Sequence, residues 1–142
     1  MNEVFEHVTD SHAFFRGGPL RSVRILREGE PAPHGLGALR EIISGPAMLP
    51  VRFVEEITAF EPNRLQEYTI RRCTLPLEHE VGRLRFTPRG DGTEIDWQSW
   101  FRIRLFVLSH LATELVAQTL TVEFTRLLMQ AKAALEDART PD

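Results

Sequence analysis

At 142 residues and 42% hydrophobic content, the chain is long enough to bury a core of its own, and residues 1–142 are read as one domain. A net charge of −3 and a pI near 6.0 exclude the basic footprint of a nucleic-acid binder. Cys73 is the one cysteine, which excludes an intramolecular disulfide.

Met1-Asn2-Glu3 lacks the charged-then-apolar layout of a signal peptide, so a cytoplasmic location is expected. The most apolar window, Leu105 to Val122, is interrupted by His110, Glu114 and Gln118, and no membrane span is expected. Lys132 is the only lysine against 16 arginines, a codon-usage habit expected of a GC-rich bacterium.

Asn2 to Arg16 reads as one or two short helices: Val4, Phe5 and Val8 share a face, and Asp10 or Ser11 caps a second helix carrying Phe14 and Phe15. Gly17-Gly18-Pro19 breaks it. A strand is expected over Leu20–Glu28, with Val23 and Ile25 on one face, and a second over Leu36–Ser44 after a Gly/Pro-rich loop. Gly45-Pro46 turns the chain into Val51–Phe60, and Glu61-Pro62-Asn63 turns it into Leu65–Thr74. Beyond Pro76 follow His79–Thr87, the hairpin turn Pro88-Arg89-Gly90-Asp91-Gly92, and the last strand, Thr93–Ile103. All the connections are too short for crossover helices, so the strands are antiparallel. From Thr93 to Thr140 there is no Gly or Pro, and a long helix closes the chain.

Alternation sorts the faces. In the last strand Ile95, Trp97, Ser99, Phe101 and Ile103 point one way, and Glu94, Asp96, Gln98, Trp100 and Arg102 the other. Arg52, Arg71, Arg83 and Arg85 are suited to pair with Glu56, Glu94 and Asp96 across a solvated face. The helix carries Val116, Leu120, Phe124, Leu127, Ala131 and Leu135 at helical spacing toward the sheet. Leu108, Leu111, Leu115 and Val122 form a second stripe without a partner, and His110 and Glu114 an i, i+4 ion pair.

This order of elements resembles the SRPBCC superfamily, the helix-grip fold of START-like lipid-binding domains and polyketide cyclase/dehydratases. The resemblance is carried by Val4-Phe5-Glu6-His7-Val8-Thr9-Asp10, by Gly35-Leu36-Gly37-Ala38-Leu39-Arg40-Glu41, and by Glu56-Ile57-Thr58-Ala59-Phe60-Glu61-Pro62. Leu65–Ile70 with Tyr68, the Phe86–Trp97 hairpin and the final helix complete it. It implies an α+β fold: short N-terminal helices, then a curved antiparallel sheet of about six strands wrapped around the long C-terminal helix. It further implies a cavity between the two. The family normally opens with a strand before the first helix. Here that strand is absent, or Met1–Thr9 is recruited in its place. Its loss would leave the edge of Thr93–Ile103 unpaired, so a homodimer is expected through that edge, through the Leu108/Leu111/Leu115 stripe, or both.

Phe53, Ile57, Tyr68, Ile70, Leu84, Phe86, Trp97 and Phe101 are the expected cavity walls, over a floor of Leu120, Phe124 and Leu127. On either reading, roughly half of these are simple packing. Glu55, Arg72 and Ser99 share parity with the apolar set: either they orient a polar ligand head, or a bulge turns one of them outward. The five histidines show no metal-ligand spacing, and neither metal nor cofactor is expected. Cys73 reads as packing, and Gly35-Leu36-Gly37 as a strand opening with close backbone approach, not a dinucleotide loop.

The expected function is binding of a hydrophobic or amphipathic small molecule such as a lipid, polyketide or aromatic metabolite. The alternatives are a cyclase/dehydratase-type enzyme using Glu55, Arg72 or Tyr68, and a protein-interaction module built on the exposed stripe.

Overall fold

The computed structural model describes residues 2–15, 20–44, 50–105 and 107–138, with the backbone alone at Leu20 and Arg21. Helices α1 (Asn2–Thr9) and α2 (Ser11–Phe14) are followed by strands β1 (Leu20–Arg27), β2 (Leu39–Ser44), β3 (Val51–Glu61), β4 (Leu65–Cys73), β5 (Leu77–Arg89) and β6 (Gly92–Ile103). Helix α3 (Ser109–Asp137) closes the chain. The strands form one antiparallel sheet in chain order, from β1 to β6. The expected breaks at Gly17-Gly18-Pro19 and Gly45-Pro46 lie outside the described residues.

Asp10 caps α2, its carboxylate accepting from the amides of His12 at 2.9 Å and Ala13 at 3.4 Å. Residues 2–9 are helical, so this segment is not recruited as an opening strand, and no described strand pairs with the outer edge of β6. Strand β2 begins at Leu39, not at the expected Leu36. Its approach is held by glycine packing: a Cβ on Gly35 would lie 2.3 Å from the Glu30 carbonyl oxygen, and Gly37 has φ +81°.

Register shifts near Glu55 and Ala59 in β3 bend the sheet over α3. Alternation in β6 is as the sequence predicts, with Ile95, Trp97, Ser99, Phe101 and Ile103 turned inward. The core lies at one end of the grip, where Phe5 makes edge contacts with Phe60 at 5.3 Å and Phe86 at 4.9 Å. Val8, Phe14, Ala38, Ile57, Tyr68, Leu84, Leu127 and Ala131 complete it.

On the outer face Arg71 and Arg27 both bind Glu56, at 2.7 and 3.1 Å. Arg83 pairs with Glu67 and Arg52 with Glu41, in place of the expected Glu94 and Asp96. The reason is register: Arg83 stands opposite Glu67 on β4 and Gln98 on β6. Glu94 is taken by Arg89 across the hairpin turn.

Candidate functional site

Beside the core, β3–β6 and the N-terminal half of α3 leave a cavity of about 130 Å³. Its apolar lining is Phe15, Val51, Phe53, Ile70, Leu75, Leu77, Trp97, Phe101, Val116, Leu120 and Phe124. Trp97 and Phe124 lie face to face, centroids 3.6 Å apart and planes 5° from parallel. Aromatic pairs favour offset or edge-on geometries, so this contact is weaker than its area implies. A larger groove of about 550 Å³ is bordered by Glu78 and Glu80 of β5, Trp100 and Arg102 of β6, and Thr113 and Ala117 of α3. It shares His79, Ser99 and Phe101 with the cavity, so the two spaces adjoin at these residues of β5 and β6.

A polar seam crosses this apolar chamber. Glu55 lines it and is 4% exposed. Its cross-strand neighbour Arg40, 5% exposed, donates from Nε to Glu55 Oε2 at 2.7 Å and from Nη1 to Ser11 Oγ at 2.7 Å. The guanidinium carbon also lies 5.8 Å from the ring centroids of both Phe15 and Tyr68. The buried carboxylate is therefore matched by a hydrogen-bonded cation, the condition for keeping such a pair out of water.

Tyr68 lies on the backbone of Gly82, its register partner, and a Cβ there would sit 2.1 Å from Tyr68 Cζ. Its hydroxyl accepts from Trp97 Nε1 at 3.1 Å. Burial, reinforced by the charge of Glu55, pushes the phenol well above its usual range, so it keeps its proton. His79 stacks on Tyr68 at 5.5 Å. Register pairing between β4 and β5 runs from Leu65 to Tyr68 on β4, and beyond it the Ile70 amide donates to His79 Nδ1 at 3.1 Å. His79 Nε2 meets Ser99 Oγ at 3.0 Å. Burial lowers the imidazole to about 4, so it is neutral near pH 7.

The family model for polyketide cyclase / dehydrase and lipid transport matches residues 1–136. The chain belongs to this family, within the SRPBCC helix-grip superfamily. Among solved structures, TTHA0849 from Thermus thermophilus is similar at TM-score 0.77 and 15% identity, over 98% of this chain and 91% of that one. Ara h 8.0201 is similar at TM-score 0.66 and 14% identity, over 93% of this chain and 90% of that one. At these identities the likeness establishes the helix-grip fold. No curated protein sequence matches the chain.

Within this helix-grip frame the residues singled out from sequence divide three ways. Phe53, Glu55, Tyr68, Trp97, Ser99, Phe101, Leu120 and Phe124 line the cavity. Ile57, Phe86 and Leu127 are at most 5% exposed and sit in the filled core beside it, as does Leu84. Arg72 is a correction: it is exposed. The register steps from Val54↔Arg72 to Glu55↔Ile70, which leaves Arg71 as the extra residue of a bulge and turns Arg72 away from the chamber. Glu55 takes Arg40 as its partner instead.

Sequence reasoning missed Arg40, His79 and Gly82. Arg40 had a usable signal, its shared parity with Ile42 in β2. So did Gly82, because a glycine inside a strand marks close approach of another group. Among the described residues no three His, Cys, Asp or Glu side chains converge on a metal position. Cys73 borders the cavity, its thiol raised by burial, as a packing cysteine would be.

Proposed function

We propose that the chain binds a hydrophobic or amphipathic small molecule, of the lipid, polyketide or aromatic-metabolite kind, in the chamber between β3–β6 and α3. Family membership supports hydrophobic ligand binding. The observation that carries the reading is an apolar chamber crossed by one short polar seam, as small-molecule sites require. At about 130 Å³ it is close to the benzene-binding size of ~150 Å³ and below the ~300 Å³ of common pockets. A longer ligand therefore parts the face-to-face Trp97–Phe124 contact and extends into the adjoining groove along β5, β6 and α3.

Native mass spectrometry of the purified protein tests this. The expected result is a retained apolar molecule on the order of a few hundred daltons, released on denaturation. A bare chain that also fails to take up added fatty acids or aromatic ketones would overturn the reading.

A second reading is favoured by one observation, the buried Glu55 near Tyr68: a cyclase/dehydratase-type enzyme in which this seam moves a proton on a folded substrate. Turnover of a polyketide-like substrate, abolished in Glu55→Gln while binding persists, would establish it. Self-association belongs to the same proposal. The β6 edge, beside which no described strand lies, and the exposed Leu108, Leu111 and Leu115 support a homodimer, which sedimentation velocity would detect.

A further inference from the structure

Strand β6 ends the sheet, and no described strand lies along its outer edge. The direction of its amides follows from the hairpin. Arg89 and Gly92 flank the two-residue turn Gly90-Asp91 and form its hydrogen-bonded pair, so the even-numbered residues of β6 turn N–H and C=O toward β5. The odd-numbered residues turn theirs to the outer edge. The far end of the strand agrees: the Arg104 amide donates to the Pro76 carbonyl beside β5 at 2.7 Å, whereas the Ile103 amide donates to Thr113 Oγ1 of α3 at 3.0 Å. Devices that blunt an edge are missing along β6. It holds no proline, and the register shift of the β5–β6 pair places the extra residue, Glu80, on β5. Strand β1, at the other end of the sheet, carries two extra residues, Arg21 and Leu26, at its register shifts.

We infer that the outer edge of β6 pairs antiparallel with β6 of a second copy, about a two-fold axis through Gln98, making one sheet continuous across the dimer. The inference rests on the self-association reading above and names its surface and register. Odd-numbered residues must face odd-numbered ones for their peptide groups to bond, so Ile95 meets the partner's Phe101 and Trp97 the partner's Ser99. On the outward face this register sets Glu94 against the partner's Arg102, with Asp96 on the diagonal. A shift one way would set Arg102 against the partner's Gly92. A shift the other way would set Ile95 against the partner's Ile103, whose amide Thr113 already holds. Arg102 is available for the contact, because Glu78, its neighbour on β5, is bound by Arg104 at 2.7 Å. With acids at one end of the strand and Arg102 at the other, an antiparallel copy meets opposite charge twice. Such an isologous contact closes at two subunits, whereas β6 on β1 would polymerise.

Gln98 is exposed and would face its own counterpart across the axis, at a separation a disulfide spans. The test is Gln98→Cys in a Cys73→Ser background, oxidised in solution and run on a non-reducing gel, beside sedimentation velocity of the wild type. A wild-type dimer and a covalent Gln98→Cys dimer are expected. Asp96→Cys and Trp100→Cys should each stay uncross-linked alone, their counterparts lying roughly 13 Å off along the strand, and should cross-link when mixed. Arg102→Glu should weaken the dimer by about 5- to 30-fold, and adding Glu94→Arg should restore it. A wild-type dimer in which Gln98→Cys does not cross-link, or in which the charge exchange fails to restore affinity, overturns the inference and leaves self-association to the Leu108–Leu115 stripe. A wild-type monomer overturns both. Open-ended polymers would set β6 against β1 and overturn the inference as well. Should Gln98→Cys not fold, the charge exchange decides alone.

Discussion

Gly82 carries no side chain because the ring of Tyr68 occupies the space where one would be. Gly82→Ala should therefore cost about 1–3 kcal/mol by overpacking, read as a lower urea midpoint at unchanged slope. Arg40 and Glu55 make a second argument at this scale. Glu55→Gln leaves a buried guanidinium without its anion and should cost roughly 3–5 kcal/mol, whereas replacing both partners together by Met should recover most of it. His79 ties stability to pH. Its folded pKa, about 4, lies below the ordinary 6.5, so the unfolded chain binds the extra proton between these values. Its contribution is fully present above pH 6.5 and is lost as pH falls toward 4. With partial exposure discounted, the loss is on the order of 2 kcal/mol. The difference in unfolding free energy between wild type and His79→Gln, measured from pH 7.5 to 4, should shrink over this window. A flat difference would refute the assignment. Alternation alone could place Glu55 and Ser99. It could not reveal that Arg40, from another strand, neutralises Glu55, because which strand lies alongside is a tertiary fact.

Helix α3 is two helices in energetic terms. Its buried residues, Leu127 and Ala131, belong to the C-terminal half, packed against the core. The N-terminal half offers only the half-buried Val116, Leu120 and Phe124 to the cavity. It is tied to the sheet by Thr113, whose Oγ1 accepts from the Ile103 amide at 3.0 Å and donates to the Ser109 carbonyl at 2.7 Å. Local opening follows where little apolar surface is buried. Amides of residues 112–124 should thus exchange faster than those of 127–137, and a bound ligand should slow the first set alone. Uniform protection along the helix would contradict this. The helical stripe and the inward face of β6 were legible because a strict period was broken by neither Gly nor Pro. Arg72 was misread for the converse reason: one extra residue at Arg71 shifts the parity of β4, and no turn residue announces it.

For the whole molecule, no described strand lies beside the outer edge of β6, and the groove along β5, β6 and α3 shares His79, Ser99 and Phe101 with the cavity. Trp100 lies on this strand, 40% exposed beneath the Arg83 guanidinium, and the Leu108–Leu115 stripe is more exposed still. The grip architecture could be read from the punctuation of the chain and its likeness to a family. The division of the interior into a filled end and a hollow end could not. It depends on α1 and α2 driving Phe5, Val8 and Phe14 into one end of the sheet and leaving the other to the sparsely packed half of α3. An amide chemical-shift map of the ¹⁵N-labelled protein titrated with cyclohexanone would locate the occupied space. The account predicts saturable shifts at Phe53, Glu55, Tyr68–Ile70, Trp97–Phe101 and Val116–Phe124. Shifts confined to the outer stripe around Leu111 and Leu115, or none that saturate, would contradict it.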